Sequence, residues 1–377
     1  MSDRIREFLR HRREDGPCLV VDTEIVRQNY LTFAKTLPDT RVFYAVKANP
    51  APEILELLSK LGSCFDTASI GEIEMALAAG ATADRISFGN TIKKERDIAK
   101  AYERGIRLFA VDCEAEVEKI ARVAPGSKVF CRILCDGEGA DWPLSRKFGC
   151  VPEMAPKVLE TAHRLGLTAH GISFHVGSQQ GNPAMWDRAL ATTAAIFQDM
   201  AERGISLAMV NLGGGFPTRY LKDVPAVKAY GSAIFESLRK HFGNRIPETI
   251  IEPGRGMVGN AGMIESEVVL VSKKSEAAEE VRWVYLDIGK FHGLAETIDE
   301  SIRYMIRTPR DGGETVPCVV AGPTCDSVDV LYEKTPYMLP VSLEIGDKVL
   351  IEGTGAYTTT YSSRDFNGMP GLKQYTI

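Results

Sequence analysis

Four stretches of the sequence carry side chains whose types and spacing suit chemistry. Lys47 closes the apolar run Arg41–Val46 and precedes Ala48-Asn49-Pro50. Alternation along a strand puts Phe43, Ala45 and Lys47 on one face. A lysine at a strand end beside apolar neighbours would be desolvated, which suits Schiff-base chemistry. The plainer alternative is a surface lysine with a snorkelling stem. Gly213-Gly214-Gly215 follows the run Ser206–Leu212. Three glycines let backbone N–H groups converge on a phosphate, or simply make a tight turn. Glu252-Pro253-Gly254-Arg255-Gly256 closes a further strand-like run. Arg255 would add charge-assisted bonds to the same phosphate. Glu252 shares a face with Ile250, and a buried carboxylate there needs a cationic partner. A protonated pyridine nitrogen would be one. His175 shares a strand face with Ser173, and its flat imidazole suits either a core position or stacking on a cofactor ring. A lysine, a phosphate cradle, a ring partner and a carboxylate together describe a pyridoxal-phosphate site.

The elements that must position these groups follow from periodicity. Short apolar runs recur at Cys18–Val21, Arg41–Val46, Cys64–Asp66, Ile86–Gly89, Arg107–Val111, Lys128–Leu134, Gly171–Val176, Ser206–Leu212 and Glu248–Glu252. Amphipathic helical stretches such as Pro52–Leu61, Ser69–Gly80, Pro152–Leu165 and Met185–Arg203 lie between them. Pro or Ser near the starts and Gly at the ends agree with helix capping. Alternating strands and helices imply a parallel sheet, and about eight such units fit a (β/α)8 TIM-type barrel. After about Gly256 the texture changes to strands at Glu267–Val271, Arg282–Asp287, Pro317–Ala321 and Asp347–Ile351, with a helix-like insert near Leu294–Met305. The expected organisation is an α/β barrel over 21–255 and a mainly β domain from 1–20 and 256–377. Cys18–Val21 lies ahead of the first barrel helix, free to pair with that β domain.

Composition narrows the class. The chain has 377 residues, 45 basic and 50 acidic side chains, a formal charge of −5, 44% hydrophobic and 25% charged residues. That is the balance of an ordinary globular enzyme. No apolar run approaches the ~18 residues of a membrane span, and MSDRIREFLRHRREDG carries charges where a secretory signal would be apolar. Without a concentrated basic block, nucleic acid is not an expected partner. Eight cysteines without a CxxC pair or His cluster argue against a metal site. Cys131 and Cys135 are expected on one strand face as plain buried thiols. The expected compartment is reducing cytoplasm.

The segments AVKANP (45–50), FDTAS (65–69), GISFHVGSQ (171–179), NLGGGFP (211–217), EPGRG (252–256), GPTCDSVD (322–329), GAYT (355–358) and FNG (366–368) resemble the fold type III pyridoxal-phosphate decarboxylases. The likeness runs from about Pro17 to the carboxyl end. It implies the alanine-racemase-like architecture, pyridoxal 5'-phosphate as cofactor, and a homodimer with shared active sites. Lys47 is similar to the Schiff-base lysine, His175 to the ring-stacking residue and Glu252 to the partner of the pyridine nitrogen. Ser178, Gly213, Gly214, Gly215, Arg255 and Tyr357 match phosphate-binding positions. Asp66, Glu72 and Arg132 match positions around the lysine and ring. Cys325 and Asp326 match a catalytic cysteine and a substrate-amine carboxylate that the neighbouring subunit contributes. Asp136–Lys147 corresponds to a mobile lid in relatives.

The implied reaction is decarboxylation of a diamino acid: L-ornithine to putrescine and carbon dioxide, feeding polyamine synthesis. Eukaryotic relatives carry a Tyr-Asp pair in the stretch matching Glu300-Ser301, and this chain lacks that aspartate. Glu296, Asp299 and Glu300 lie nearby, so a shifted carboxylate is expected to assist Asp326. A change of about one methylene in the cavity discriminates by only ~1–3 kcal/mol, which leaves lysine as an alternative substrate. Diaminopimelate decarboxylases carry Cys-Glu-Ser where this chain has Cys325-Asp326-Ser327, and racemases lack the Cys-Asp loop. A non-catalytic binding homologue would have no need to retain Lys47 and Cys325.

Overall fold

The computed structural model describes residues 2–142, 146–277 and 281–377. The chain divides into two compact units. One comprises Arg27–Pro217 and Val224–Met257; the other comprises Met1–Val26, Thr218–Asp223 and Val258–Ile377.

The first unit is a closed barrel of eight parallel strands, paired in chain order around the ring: Thr40–Ala45, Cys64–Thr67, Ile86–Phe88, Leu108–Val111, Lys128–Arg132, Thr168–Ser173, Met209–Asn211 and Glu248–Ile251. Aromatic and β-branched side chains dominate these runs, as pleated and fully covered surfaces require. Phe43, Cys64, Ala110, Phe130, Met209 and Ile250 meet as one buried cluster. Fully burying each large apolar side chain contributes roughly 1.5–3 kcal/mol. Helices follow most strands, and local chemistry starts and stops them. Ser69 caps Ile70–Ala78 by accepting the Glu72 N–H at 3.2 Å, and Gly80, at φ 92°, ends it. A short antiparallel ribbon, Ala140–Trp142 on Ser178–Gln180, was not expected. Of the Asp136–Lys147 stretch, residues 143–145 lie outside the described residues.

The second unit is a mixed sheet. Its order is Met305–Arg307, Lys348–Glu352, Gly262–Ser272, Arg282–Leu286, Thr315–Ala321 and Val330–Pro340. Cys18–Val21 pairs antiparallel with Gly262–Ser272 and parallel with Lys373–Thr376. The helix Asp3–His11 buries Ile5 against Cys18, Val20 and Met263, with Phe8 and Leu9 packed alongside. Residues 218–223 join this unit, with the Tyr220 and Tyr304 rings edge-on at 5.3 Å.

Two expectations are corrected here. Leu294–Met305 is not a helix but a six-residue 3-10 segment, Ala295–Glu300, broken at Ile298 and Asp299. Asp299 has φ 54°, which no helix continues through. Cys135 does not share a strand face with Cys131, because the strand stops at Arg132. Cys131 instead lies with its sulfur 3.6 Å from that of Cys150, both as free thiols.

Candidate active site

Most of the groups singled out in the barrel stand at the carboxyl ends of its strands, where barrel enzymes place their chemistry. The first strand ends in a single 3-10 turn, Val46–Ala48. Lys47 therefore leaves the alternation of the strand and is exposed rather than desolvated, while Val46 and Ala48 beside it are buried. Tyr44 donates to the Asn49 carbonyl at 2.8 Å, which fixes the backbone carrying the amine.

Asp66, in the second strand, is buried and accepts from Ser87 Oγ at 3.3 Å. Gly89 makes room for it: a Cβ there would lie 1.8 Å from Asp66 Oδ1. Burial raises the Asp66 pKa, with Lys47 and Arg132 acting in the opposite sense. Glu72 accepts the Ala68 N–H at 2.6 Å, and burial raises its pKa too. Its carboxylate thus also serves the helix start. Arg132 ends the fifth strand and holds its guanidinium 5.3 Å from the centre of the Phe148 ring.

His175 does not share a strand face with Ser173, because the strand ends at Ser173. It stands in the following turn, where Nδ1 accepts the Gly177 N–H at 3.0 Å, leaving the ring proton on Nε2. Burial, then the charges of Arg132 and Lys47, push its pKa down to about 3. The ring is therefore flat and neutral at physiological pH.

Glu252 lies one residue beyond the eighth strand, and its N–H donates to the Gly213 carbonyl at 2.8 Å. Asn211 Nδ2 donates to Glu252 Oε1, while Asn211 Oδ1 accepts the Gly213 N–H at 2.9 Å. Burial and then Asp66 raise the Glu252 pKa to about 7, against Asn211, Lys47 and Arg132. A carboxyl so poised is ionised fully only beside a cation. The glycine loop is equally constrained. A Cβ at Gly213, Gly214 or Gly215 would lie 2.1, 2.7 or 2.5 Å from a backbone carbonyl oxygen. Backbone packed this tightly admits no side chain at any of the three positions, so a ligand there meets backbone groups alone. Arg255 is buried and its Nη2 donates to Ser178 Oγ at 3.4 Å. A phosphate cradle, a neutral ring and a carboxyl waiting for a cation fit pyridoxal phosphate.

In the β unit, Cys325 is exposed and its N–H donates to Asn367 Oδ1 at 2.7 Å. Asp326 is exposed and accepts the Val328 N–H at 2.9 Å. The loop is held by Asp329, which accepts from Lys290 N at 2.8 Å, Thr324 N at 3.1 Å and Thr324 Oγ1 at 2.6 Å. Tyr357 has φ 56° and its ring lies 5.7 Å from that of Tyr361. Of the three acids near Ala295–Glu300, Glu296 is buried. Asp299 pairs with Lys334 at 2.9 Å. Glu300 accepts the N–H groups of Glu333 and Lys334 at 2.7 and 2.6 Å and pairs with Arg303. The sequence alone assigns no role to Ser87, Asn211, Asp329 or Asn367, although Ser87 lies in the run Ile86–Gly89 and the other three in the segments NLGGGFP, GPTCDSVD and FNG. Among the described residues, no group of three or more His, Cys, Asp or Glu could hold a metal ion, and no helix is long and apolar enough to cross a membrane.

A parallel barrel with a lysine beyond its first strand and a triglycine loop beyond its seventh suits a pyridoxal-phosphate enzyme of the barrel type. Comparison with known proteins agrees. Residues 23–259 match the family model of the pyridoxal-dependent decarboxylase, pyridoxal binding domain. The lysine/ornithine decarboxylase of Selenomonas ruminantium is 35% identical over 359 residues, covering 95% of this chain and 88% of that protein. A crystal structure of SrLDC in complex with PLP and cadaverine is 33% identical, with a TM-score of 0.89 and coverage of 100% and 94%. The lysine/ornithine decarboxylase of Vibrio vulnificus, solved with cadaverine, is 31% identical, with a TM-score of 0.88 and coverage of 100% and 99%. The chain belongs to the pyridoxal-dependent decarboxylase family, and its cofactor is pyridoxal phosphate.

Proposed function

We propose that this decarboxylase converts L-ornithine to putrescine and carbon dioxide in the cytoplasm, as a homodimer in which each site draws on both subunits. The observation that carries the substrate class is the loop bearing Cys325 and Asp326, both exposed, on a turn fixed by Asp329. An exposed carboxylate beside a thiol suits a substrate with a distal ammonium. Bound pyridoxal phosphate supplies the sink for the electron pair left at Cα when carbon dioxide departs. Lys47, whose side chain is exposed at the end of the first strand, would hold the cofactor through its amine. Glu252 would keep a proton on the ring nitrogen, and His175, being neutral, would stack on the ring without opposing that charge. The glycine loop, Ser178, Arg255 and Tyr357 take the phosphate; Asp66, Glu72 and Arg132 surround the ring and lysine. Cys325 of one subunit returns a proton to Cα in the site of the other. Asp326, assisted by a carboxylate among Glu296, Asp299 and Glu300, holds the distal ammonium.

A second reading, activity on both lysine and ornithine, is favoured by the Selenomonas and Vibrio relatives, which are lysine/ornithine decarboxylases. Carbon dioxide release from ornithine, lysine, arginine and diaminopimelate, compared as kcat/KM, separates the two. A ratio of ornithine to lysine above about tenfold supports the first reading. Preference for arginine or diaminopimelate would reject both.

A further inference from the structure

Asn211 sits where the seventh strand gives way to the glycine loop, and it is almost completely buried. A backbone N–H can only donate, so the bond from Gly213 N–H fixes which end of the amide is oxygen. The Nδ2 donor is thereby turned on Glu252 Oε1. Among the described residues, this is the one side-chain hydrogen bond to that carboxyl, and Oε2 is left open.

We propose that Asn211 is a positioning residue for the cofactor: by occupying Oε1 it presents Oε2 of Glu252 to the ring nitrogen, and through Gly213 it ties that carboxylate to the phosphate loop. One side chain thus sets the spacing between the groups that take the two ends of the same ligand. The assignment rests on the roles given above to Glu252 and the glycine loop. Around Glu252, Asp66 opposes ionisation while Lys47 and Arg132 favour it. Asn211 is the uncharged member of this set, and it supplies direction as well as charge stabilisation.

A mere turn-former would make a different prediction. Asparagine and aspartate serve equally in such turns. Asn211→Asp keeps the shape and the acceptor for Gly213 N–H but replaces the donor facing Glu252 with an acceptor. The test follows the carboxyl stretch of Glu252 by infrared titration of the full-length protein before loading with pyridoxal phosphate. The band is assigned by its loss in Glu252→Gln. In the wild type it should titrate near pH 7. In Asn211→Asp and Asn211→Ala it should move upward by about one pH unit or more. If Asn211→Ala fails to fold, the isosteric Asp variant carries the test alone. Borohydride reduction after loading reports independently on the cofactor. An unmoved titration in an Asp variant whose cofactor is still fixed to Lys47 overturns the role of Asn211 and leaves the site standing. A wild type that fixes no cofactor at Lys47 overturns both.

Discussion

Replacing Gly213 by alanine adds one methyl group where the backbone has no space for it. Gly213 has φ 67°, and the new Cβ would lie 2.1 Å from the Phe174 carbonyl oxygen and 3.2 Å from His175 Cα. The left-handed conformation costs alanine about 1–2 kcal/mol. Overpacking against rigid backbone adds ~1–3 kcal/mol. Gly166 provides the control, with φ 79° and nothing within 4 Å of its added Cβ. Gly166→Ala therefore carries the first cost without the second. In urea unfolding of the cofactor-free protein, Gly213→Ala should lose ~2–5 kcal/mol and Gly166→Ala ~1–2 kcal/mol. The same turn bonds Asn211 and receives the Glu252 N–H, so its displacement reaches the ligand as well. Loss of one hydrogen bond to a charged phosphate is worth ~1.5–3 kcal/mol, a rise in the Kd of pyridoxal phosphate of roughly tenfold to a hundredfold. Absorbance titration measures it, and Gly166→Ala should show no change. Equal losses of stability at both positions would refute the packing argument. An unchanged Kd in Gly213→Ala would remove the loop from the phosphate.

Glu252, raised from 4.5 to about 7, binds its proton more tightly folded than unfolded, so its stabilising contribution is full below about pH 4.5 and lost as pH rises through 7. Glu252→Gln stays neutral, so the Tm of the cofactor-free variant should gain on the wild type across that rise; a pH-independent difference would reject the assignment. Lys47→Ala should abolish borohydride fixation of the cofactor, and mapping the reduced link to another lysine would move the site. Cys325→Ala should slow diamine formation and divert the proton to the cofactor carbon, giving an aldehyde and pyridoxamine phosphate, whereas pure diamine at an unchanged rate would clear Cys325 of the role. Subunit exchange between Lys47→Ala and Cys325→Ala dimers should restore roughly a quarter of normal activity if sites are shared; background activity after exchange verified by native mass spectrometry would mean each site is built within one chain.

Much of the barrel is legible because its strands are apolar runs punctuated by Gly, Pro and Ser, and these local signals rarely compete. Thr40–Ala45 and Cys64–Thr67 fall within a residue of the expected runs. The ribbon Ala140–Trp142 with Ser178–Gln180 is not legible: its strands are three residues long and largely polar. Val330–Pro340 escapes for another reason, since Glu333, Lys334 and Pro336 interrupt its alternation. Residue types at strand ends point to Lys47, His175 and Glu252, but their surroundings do not follow from sequence. Lys47 and His175 both lie just past the ends of their strands, and one extra turn is enough to invalidate a face drawn by alternation. Asn211 bonds a residue 41 positions on, and Asn367 one 42 positions back. A polar residue beside glycines looks like a turn until the partner from another loop is known.

The strand Cys18–Val21 is fully buried between Gly262–Ser272 and Lys373–Thr376, with the whole barrel intervening in the chain. During synthesis it emerges early and must wait for neighbours 241 residues (262 − 21) and 352 residues (373 − 21) downstream. At ~5–20 residues per second the delay is roughly ten seconds to more than a minute. Throughout that interval an apolar Cys-Leu-Val-Val segment has both edges open, the condition under which nascent chains pair with one another. The barrel strands meet their neighbours in the order in which they are made, apart from the pair that closes the ring. Yield in the cell should therefore be governed by how well this short early strand is shielded on the ribosome, more than by the stability of the finished barrel.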